Sequence, residues 1–243
     1  MKNETLQKKN LLDKFDIEYF GPNHLEDKEL LNRVGKVNVG WNLEYLKTLP
    51  AVGAIVDVGA ADDFHTLHDS QPEAYSILLD ANDRYIATYE KYLSKKPGEY
   101  IISAVSDIEK IVHYKHYIDQ PYLSTVGERD DQPEGRVEIK ELHTKSLDQL
   151  VPFDRLQKGV LLKIDIEGSE VPALMGAEAL LSLTKIVICE CSLDADFPGG
   201  DNFTKIFEIL TRRGFKFQDI IRVPRLHHNR FPAQIIDAVF VKD

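Results

Sequence analysis

The chain has 243 residues, 43% of them hydrophobic, and a formal net charge of −10. That length supplies one sizeable core with room for a small extension. The acidic balance argues against nucleic acid as the main partner, because binding phosphates needs a basic face. No apolar run approaches the ~20 residues of a membrane span, and the polar residues after Met1-Lys2-Asn3-Glu4 show no secretory signal.

In chain order, residues 1–50 come first. They are charged, with apolar residues at helical spacing over 6–15 and 25–34, and a short helical pattern over 43–49 stopped by Pro50. This predicts a helical N-terminal extension that packs on a main domain of residues 51–243. From there short strands alternate with helices, the rhythm of parallel βαβ units. Strands are expected over 54–58, 75–79 and 100–105, with helices over 62–69 and 83–95. Residues 107–143 break the rhythm. Two strand-like runs, 110–117 and 137–142, flank a segment rich in Pro, Gly, Asp and Ser, which reads as an inserted β-hairpin with a mobile tip over 119–135. The rhythm resumes with a short helix over 146–150, a strand over 160–164 and a helix over 171–183. A strand over 186–190 and a helix over 202–213, closed by Gly214, follow. The last strands are expected over 215–221 and 235–241. Cys189 and Cys191 alternate with Glu190 in an apolar run, so both read as buried reduced thiols on one face of a strand. The chain reads as cytoplasmic.

Chemistry concentrates at two places. In Val160-Leu161-Leu162-Lys163-Ile164-Asp165-Ile166-Glu167-Gly168-Ser169-Glu170 an apolar run ends in three carboxylates split by a glycine. Ala54-Ile55-Val56-Asp57-Val58-Gly59-Ala60-Ala61 has the same shape. Ligands of open α/β sheets bind just beyond the carboxyl ends of the strands. Gly59 would let a ligand approach the backbone closely. Asp80, 23 residues after Asp57, is placed to hydrogen-bond ribose hydroxyls. Charge then selects the cofactor. The later glycines of a dinucleotide loop are absent, and Asp62 and Asp63 stand where a diphosphate would lie. Like charges ~4 Å apart cost about 4 kcal/mol at an effective dielectric near 20. S-adenosylmethionine carries a sulfonium and an ammonium instead, which acids attract. The expected cofactor residues are therefore Asp57, Gly59, Ala60, Ala61, Asp80, Ala81, Ala104 and Asp165.

These motifs give the sequence a family resemblance. Over about residues 54 to 241 it resembles the FkbM family of S-adenosylmethionine-dependent methyltransferases. Lys163-Ile164-Asp165-Ile166-Glu167-Gly168-Ser169-Glu170, followed by Leu174-Met175-Gly176-Ala177, looks like the family's K-I-D-x-E-G-x-E and its glycine-alanine tail. Thr144-Lys145-Ser146-Leu147-Asp148 is similar to its T-x-x-L-D, and Ile188-Cys189-Glu190 to its later strand ending in glutamate. The resemblance implies an α/β class I methyltransferase fold: a Rossmann-like seven-stranded sheet with the last strand antiparallel. It implies methyl transfer, usually to a hydroxyl oxygen of a sugar or secondary metabolite. Where the family carries G-A-N-x-G, this chain has Gly59-Ala60-Ala61-Asp62-Asp63.

A hydroxyl acceptor needs a base, and Asp165, Glu167 and Glu190 are the candidates. Asp165 is expected to face the methyl group and acceptor, with Glu167 and Glu190 orienting the acceptor or sharing the base role. Glu170 is expected to complement a helix N-terminus, and Lys163 to pair with a neighbouring acid. A Mg²⁺ site from Asp165, Glu167, Glu190 and His143 is compatible with the sequence, but no spacing requires it. The basic run Arg222-Val223-Pro224-Arg225-Leu226-His227-His228-Asn229-Arg230 reads as a solvated loop or an anion-binding acceptor pocket. The hairpin tip could act as a lid. Tyr117, Tyr122 and Trp41 could stack on a sugar or adenine, or pack in the core. The expected partner is a small-molecule or carbohydrate acceptor, with neither nucleic acid nor membrane, and self-association into a homo-oligomer is left open. Two other functions compete: an inactive ligand-binding protein on the same fold, and an NAD-linked oxidoreductase.

Overall fold

The computed structural model describes residues 43–119, 124–126, 135–193, 203–222 and 235–242, all within one compact unit, Val39–Asp243. The helices expected over 6–15 and 25–34 lie outside the described residues. The strands, in chain order, are β1 (Ala54–Val58), β2 (Tyr75–Asp80), β3 (Gly98–Ile102), β4 (Ala104–Val105), β5 (Ile111–Tyr117), β6 (Val137–Lys145), β7 (Val160–Ile164), β8 (Thr184–Ser192), β9 (Lys216–Arg222) and β10 (Ile235–Val241). The helices are α1 (Leu43–Leu46), α2 (His65–Ser70), α3 (Ile86–Leu93), α4 (Leu147–Leu150), α5 (Glu170–Met175), α6 (Glu178–Leu183) and α7 (Phe203–Arg212).

Seven strands form one sheet in the order β3-β2-β1-β7-β8-β10-β9. The five from β3 to β8 run parallel, and β10 is antiparallel to both its neighbours. This is the class I methyltransferase sheet. Its central strands are apolar runs because both faces are covered. On one face Val56, Val58, Leu162, Ile164, Cys189 and Cys191 pack with α4 to α7; on the other Ile55, Leu161 and Ile188 pack with Leu46, Leu49 and Leu67. Each fully buried aliphatic side chain of this kind contributes roughly 1.5–3 kcal/mol. Both thiols are buried and reduced, as their alternation implies. The strand order reverses direction between β1 and β7, and such a switch point opens a crevice at the carboxyl edge.

The hairpin of β5 and β6 is present, paired antiparallel, in a second sheet of order β4-β6-β5. Two expected elements are divided. The strand read over 100–105 leaves the main sheet at Ser103, whose N–H donates to the Asp80 carbonyl, and its end joins β6 as β4. The helix read over 171–183 breaks at Gly176, where a Cβ would lie 2.6 Å from the Ser106 carbonyl oxygen. Asp148 restarts it by accepting the N–H groups of Ala179 and Leu180 at 2.8 and 2.9 Å. The T-x-x-L-D stretch is thus a joint. Thr144 donates to the Ile108 carbonyl and accepts the Lys110 N–H, while Asp148 caps α6.

Gly59 has φ +78, and a Cβ there would sit 1.8 Å from the Asp165 carbonyl oxygen. Gly214 also has positive φ (+88), but its Cβ would meet only the end of Lys242, at 3.8 Å. Gly214→Ala should therefore cost only the left-handed penalty of about 1–2 kcal/mol, a fall of roughly 2–8 °C in Tm. Gly59→Ala should lower Tm by at least twice as much, because a backbone carbonyl cannot yield. Equal shifts by calorimetry would contradict this reading.

Candidate active site

The carboxyl ends of β1, β2 and β7 open onto a cavity of about 440 Å³. Gly59, Ala61, Asp62 and Asp63 line it from the loop after β1, and Asp80 and Ala81 from the end of β2. Ser103 and, on β4, Ala104 and Val105 add a wall, as do Asp165, Ile166, Glu167 and Ser169 from the turn after β7. Glu190 on β8 and Arg222 at the end of β9 close the far side. Of the expected cofactor residues, Gly59, Ala61, Asp80, Ala81, Ala104 and Asp165 line the cavity. Asp57 and Ala60 are fully buried beside it. The close approach that Gly59 permits is to the Asp165 carbonyl, so this glycine brings the ends of β1 and β7 together.

Lys163 organises that junction. In register beside Asp57, it sends Nζ to the Gly59 carbonyl (2.7 Å), Asp57 Oδ1 (3.2 Å) and Asp165 Oδ2 (3.6 Å). Burial works against its charge, but Asp57, Asp165 and Asp63 outweigh burial and hold its pKa well above the ordinary lysine value. Burial likewise acts to raise the Asp57 pKa, yet Lys163 and His68 bring it below the usual carboxylate value. The His68 ring lies 3.3 Å from Asp57 Oδ2 and 2.8 Å from Ser76 Oγ.

A second cation holds the opposite side. Arg222 Nε donates to Asp237 Oδ2 at 2.6 Å, and Nη2 reaches Glu190 Oε1 at 2.8 Å and Asp165 Oδ2 at 3.9 Å. Asp237 is the cross-strand partner of both Glu190 and Arg222, so the three residues form a row over β8, β10 and β9. The guanidinium is therefore committed to carboxylates and is not a free receptor for an anionic acceptor; residues 223–230 of the basic run lie outside the described residues. Burial, with Asp165 and Glu167 nearby, raises the Glu190 pKa well above its usual value against the pull of Arg222. Burial also pushes Asp237 up to about 6.

One carboxylate oxygen from each of Asp165, Glu167 and Glu190 lies within 4.8 Å of the others, a set that could hold a divalent ion. His143 is not part of it; it sits exposed on β6, opposite Ile111. Glu167 has φ +54, a conformation uncommon outside glycine, and Thr125 Oγ1 donates to its carbonyl at 2.7 Å. Glu170 Oε1 accepts the N–H groups of Ile166 and Gly168, both at 3.1 Å. It stands in the first turn of α5, and its carboxylate fastens the preceding turn that carries Glu167. Within the expected mobile tip, Thr125 is bridged to Lys115 by two backbone hydrogen bonds and is 1% exposed, so this stretch is an anchored wall. Residues 120–123 and 127–134 lie outside the described residues, as do Tyr122 and Trp41. Tyr117 is buried and does not line the cavity. Tyr85 and Tyr114, which sequence reading did not single out, do line it.

Asp80 Oδ2 accepts the Ala61 N–H at 3.0 Å, and Oδ1 accepts the Asn82 N–H at 2.8 Å. Each oxygen keeps a lone pair for a hydroxyl in the cavity. Burial pushes the Asp80 pKa up to about 6, against the lowering effect of these two N–H groups. Ala61 has φ +48, a left-handed backbone that asparagine adopts more readily than alanine. No glycine nest or free cation awaits a diphosphate among the described residues, whereas carboxylates crowd the cavity.

The sheet order and this acid-lined switch point define a class I S-adenosylmethionine-dependent methyltransferase. The family model for the "Methyltransferase FkbM domain" matches residues 50–217, and the chain belongs to that family. A nicotinamide-linked oxidoreductase is not favoured. No curated protein matches the chain. Among solved structures, a precorrin-6y C5,15-methyltransferase from Geobacter metallireducens is 14% identical, with 90% of this chain and 92% of that chain covered at a TM-score of 0.42. A magnesium protoporphyrin IX methyltransferase from Synechocystis with bound SAH is 12% identical, with 87% and 83% covered at 0.45. A TehB-like SAM-dependent methyltransferase from Corynebacterium glutamicum is 11% identical, with 99% and 97% covered at 0.40. Among the described residues no helix is long and apolar enough to cross a membrane.

Two expectations follow. Lys163→Met strands Asp57 in the interior and should cost about 3–5 kcal/mol in urea unfolding; adding Asp57→Asn should recover part of that loss. A double variant no more stable than the single one would contradict the pairing. With Asp80 expected to accept ribose hydroxyls in its ionised form, affinity should be full well above pH 6 and fall as pH drops through it. Calorimetry at pH 5 should give S-adenosylmethionine binding up to about tenfold weaker than at pH 7.5, with close to one proton released per site on binding. Asp80→Asn should remove most of the affinity and the pH dependence with it; a flat profile in the unsubstituted protein would refute the assignment.

Proposed function

We propose that the chain transfers a methyl group from S-adenosylmethionine to a hydroxyl oxygen of a small, hydroxyl-rich acceptor such as a sugar or glycan. The catalytic body in this reading is residues 51–243, with residues 1–50 as an extension. The observation that carries the proposal is the trio Asp165, Glu167 and Glu190, gathered within 4.8 Å at the mouth shared with Gly59 and Asp80.

When bound, the cofactor supplies an electrophilic methyl on a sulfonium. The chain's residues do the rest. Asp80 accepts hydrogen bonds from ribose hydroxyls, and the Gly59–Asp63 loop supports the nucleoside. Asp165 takes the acceptor's proton. Its Oδ2 faces Lys163 and Arg222, so the carboxylate is fixed in orientation while Oδ1 carries neither ion pair. Glu190, whose pKa is raised by burial and by the two acids beside it, positions the acceptor through hydrogen bonds. A pair of carboxylates in unlike environments divides acid and base roles in this way. Glu167, on the fastened turn, orients a second acceptor hydroxyl. Holding oxygen and methyl in line contributes effective molarities of ~10⁵–10⁸ M, which makes this rigidity worth its strain.

Screening hydroxylated sugars and metabolites with a labelled methyl donor tests the acceptor class. On an acceptor so found, Asp165→Asn should lower kcat about a hundredfold or more, the low end of general-base effects, with S-adenosylmethionine affinity nearly unchanged. Turnover close to that of the unsubstituted protein would remove Asp165 from the base role. Labelling confined to amines would replace the oxygen-acceptor reading.

A further inference from the structure

The second sheet supplies more than an outer wall. Two of its three strands, β4 and β5, reach the cavity. β4 brings Ala104 and Val105, and β5 brings Tyr114. β4 is held to β6 by the pairs Ala104–Thr144 and Val105–Lys145. Thr144 ties that strand to Ile108 and Lys110 at the root of β5. Tyr114 is 5% exposed, and its ring lines the cavity together with Tyr85 and Ala81, on the side where Asp80 stands. Burial and then Asp80 raise its phenol pKa, which places the ring within the field of that carboxylate; Ser124 and Asn82 act in the opposite sense, as donors near the phenol oxygen do.

Asn82 gives an independent sign. It is 1% exposed; its Oδ1 accepts the Arg84 N–H, but its Nδ2 has no hydrogen-bond partner. A buried amide left this way costs about 1–3 kcal/mol. The nearby phenol oxygen is the acceptor it lacks. A small closure of β5 toward β2 would satisfy Nδ2 on that oxygen and direct the phenol proton into the cavity. A nucleoside offers what such a proton needs, in its ribose oxygens and ring nitrogens. It also presents a flat face to the two tyrosine rings, while Ala81 and Ala104 leave room for it.

We propose that Tyr114, supplied by the inserted hairpin and oriented by Asn82, binds the adenosine portion of the methyl donor. The proposal rests on the reading of Asp80 as the ribose acid. It makes the hairpin part of the cofactor site as well as a boundary of the acceptor site.

Binding tests this without knowledge of the acceptor. S-adenosylhomocysteine and adenosine are the probes, with Kd measured by calorimetry for the first and by competition for the second. Tyr114→Phe keeps the ring and removes the hydroxyl; it should weaken both probes by the same factor, about two- to tenfold. Tyr114→Ala should weaken both further. Unchanged affinities in both variants would overturn the proposal. So would a loss for S-adenosylhomocysteine without one for adenosine, which would put Tyr114 at the amino-acid or acceptor end. Asp80→Asn separates the two layers of the argument. If it weakens both probes while the Tyr114 variants do not, the ribose assignment stands and this inference fails. If it weakens neither, both fail.

Discussion

One buried lysine sets the geometry on which the site depends. Lys163 lies in a central strand with no exit to solvent, so its charge must be met inside. Asp57 meets it from the adjacent strand in register, and the Gly59 carbonyl and Asp165 meet it from the two chain segments that leave the sheet there. Removing one member of such a group leaves an uncompensated charge in the interior, a cost of several kcal/mol. The loop after β1 and the turn after β7 are thereby fixed to each other. The glycine that permits their approach and the lysine that holds it belong to one device: Gly59 has no Cβ because the Asp165 carbonyl occupies that space. In the proposed mechanism the donor loop and the base Asp165 are consequently placed as a unit.

Charge is distributed so that the cavity keeps an excess of acid. Lys163 is shared by Asp57, Asp165 and Asp63, and Arg222 by Asp237, Glu190 and Asp165. Neither cation is available to a phosphate. The remaining carboxylates suit a cationic donor and an acceptor rich in hydroxyl donors. Two strained positions flank the same space. Ala61 and Glu167 both occupy left-handed backbone, each costing about 1–2 kcal/mol for a residue with a Cβ. Glu167 is held there by Thr125 and by the Glu170 carboxylate under its turn, so the insertion and the main domain stabilise one conformation together.

Much of the scaffold was legible in the sequence because central parallel strands are short apolar runs with abrupt ends. The bounds read for β1, β7 and β10 coincide with those observed. The acids that end β1, β2 and β7 were visible for the same reason: a carboxylate interrupting such a run is either paired or at an edge. The misread elements have local causes. Gly176 divides one helical pattern into two because another segment passes too close for a side chain. Ser103 moves a strand between sheets, which an unbroken apolar run cannot reveal. Arg222 read as part of a basic loop, yet a signal was present: Asp237 is a lone acid in an otherwise apolar strand, and such an acid needs a cation opposite. Tyr85, just after β2, and Tyr114 on β5 gave no signal; for Tyr114, presence at the cavity depends on how the inserted sheet folds back over the main one.

A crystal structure of the protein with S-adenosylhomocysteine tests the central claim most directly, because it asks whether the locked strand ends form one site. The account predicts ribose hydroxyls on the Asp80 carboxylate and the sulfur turned toward Asp165, with the Lys163 contacts to Gly59 and Asp165 intact. A nucleoside seated away from Asp80, or a sulfur directed away from Asp165, would contradict it.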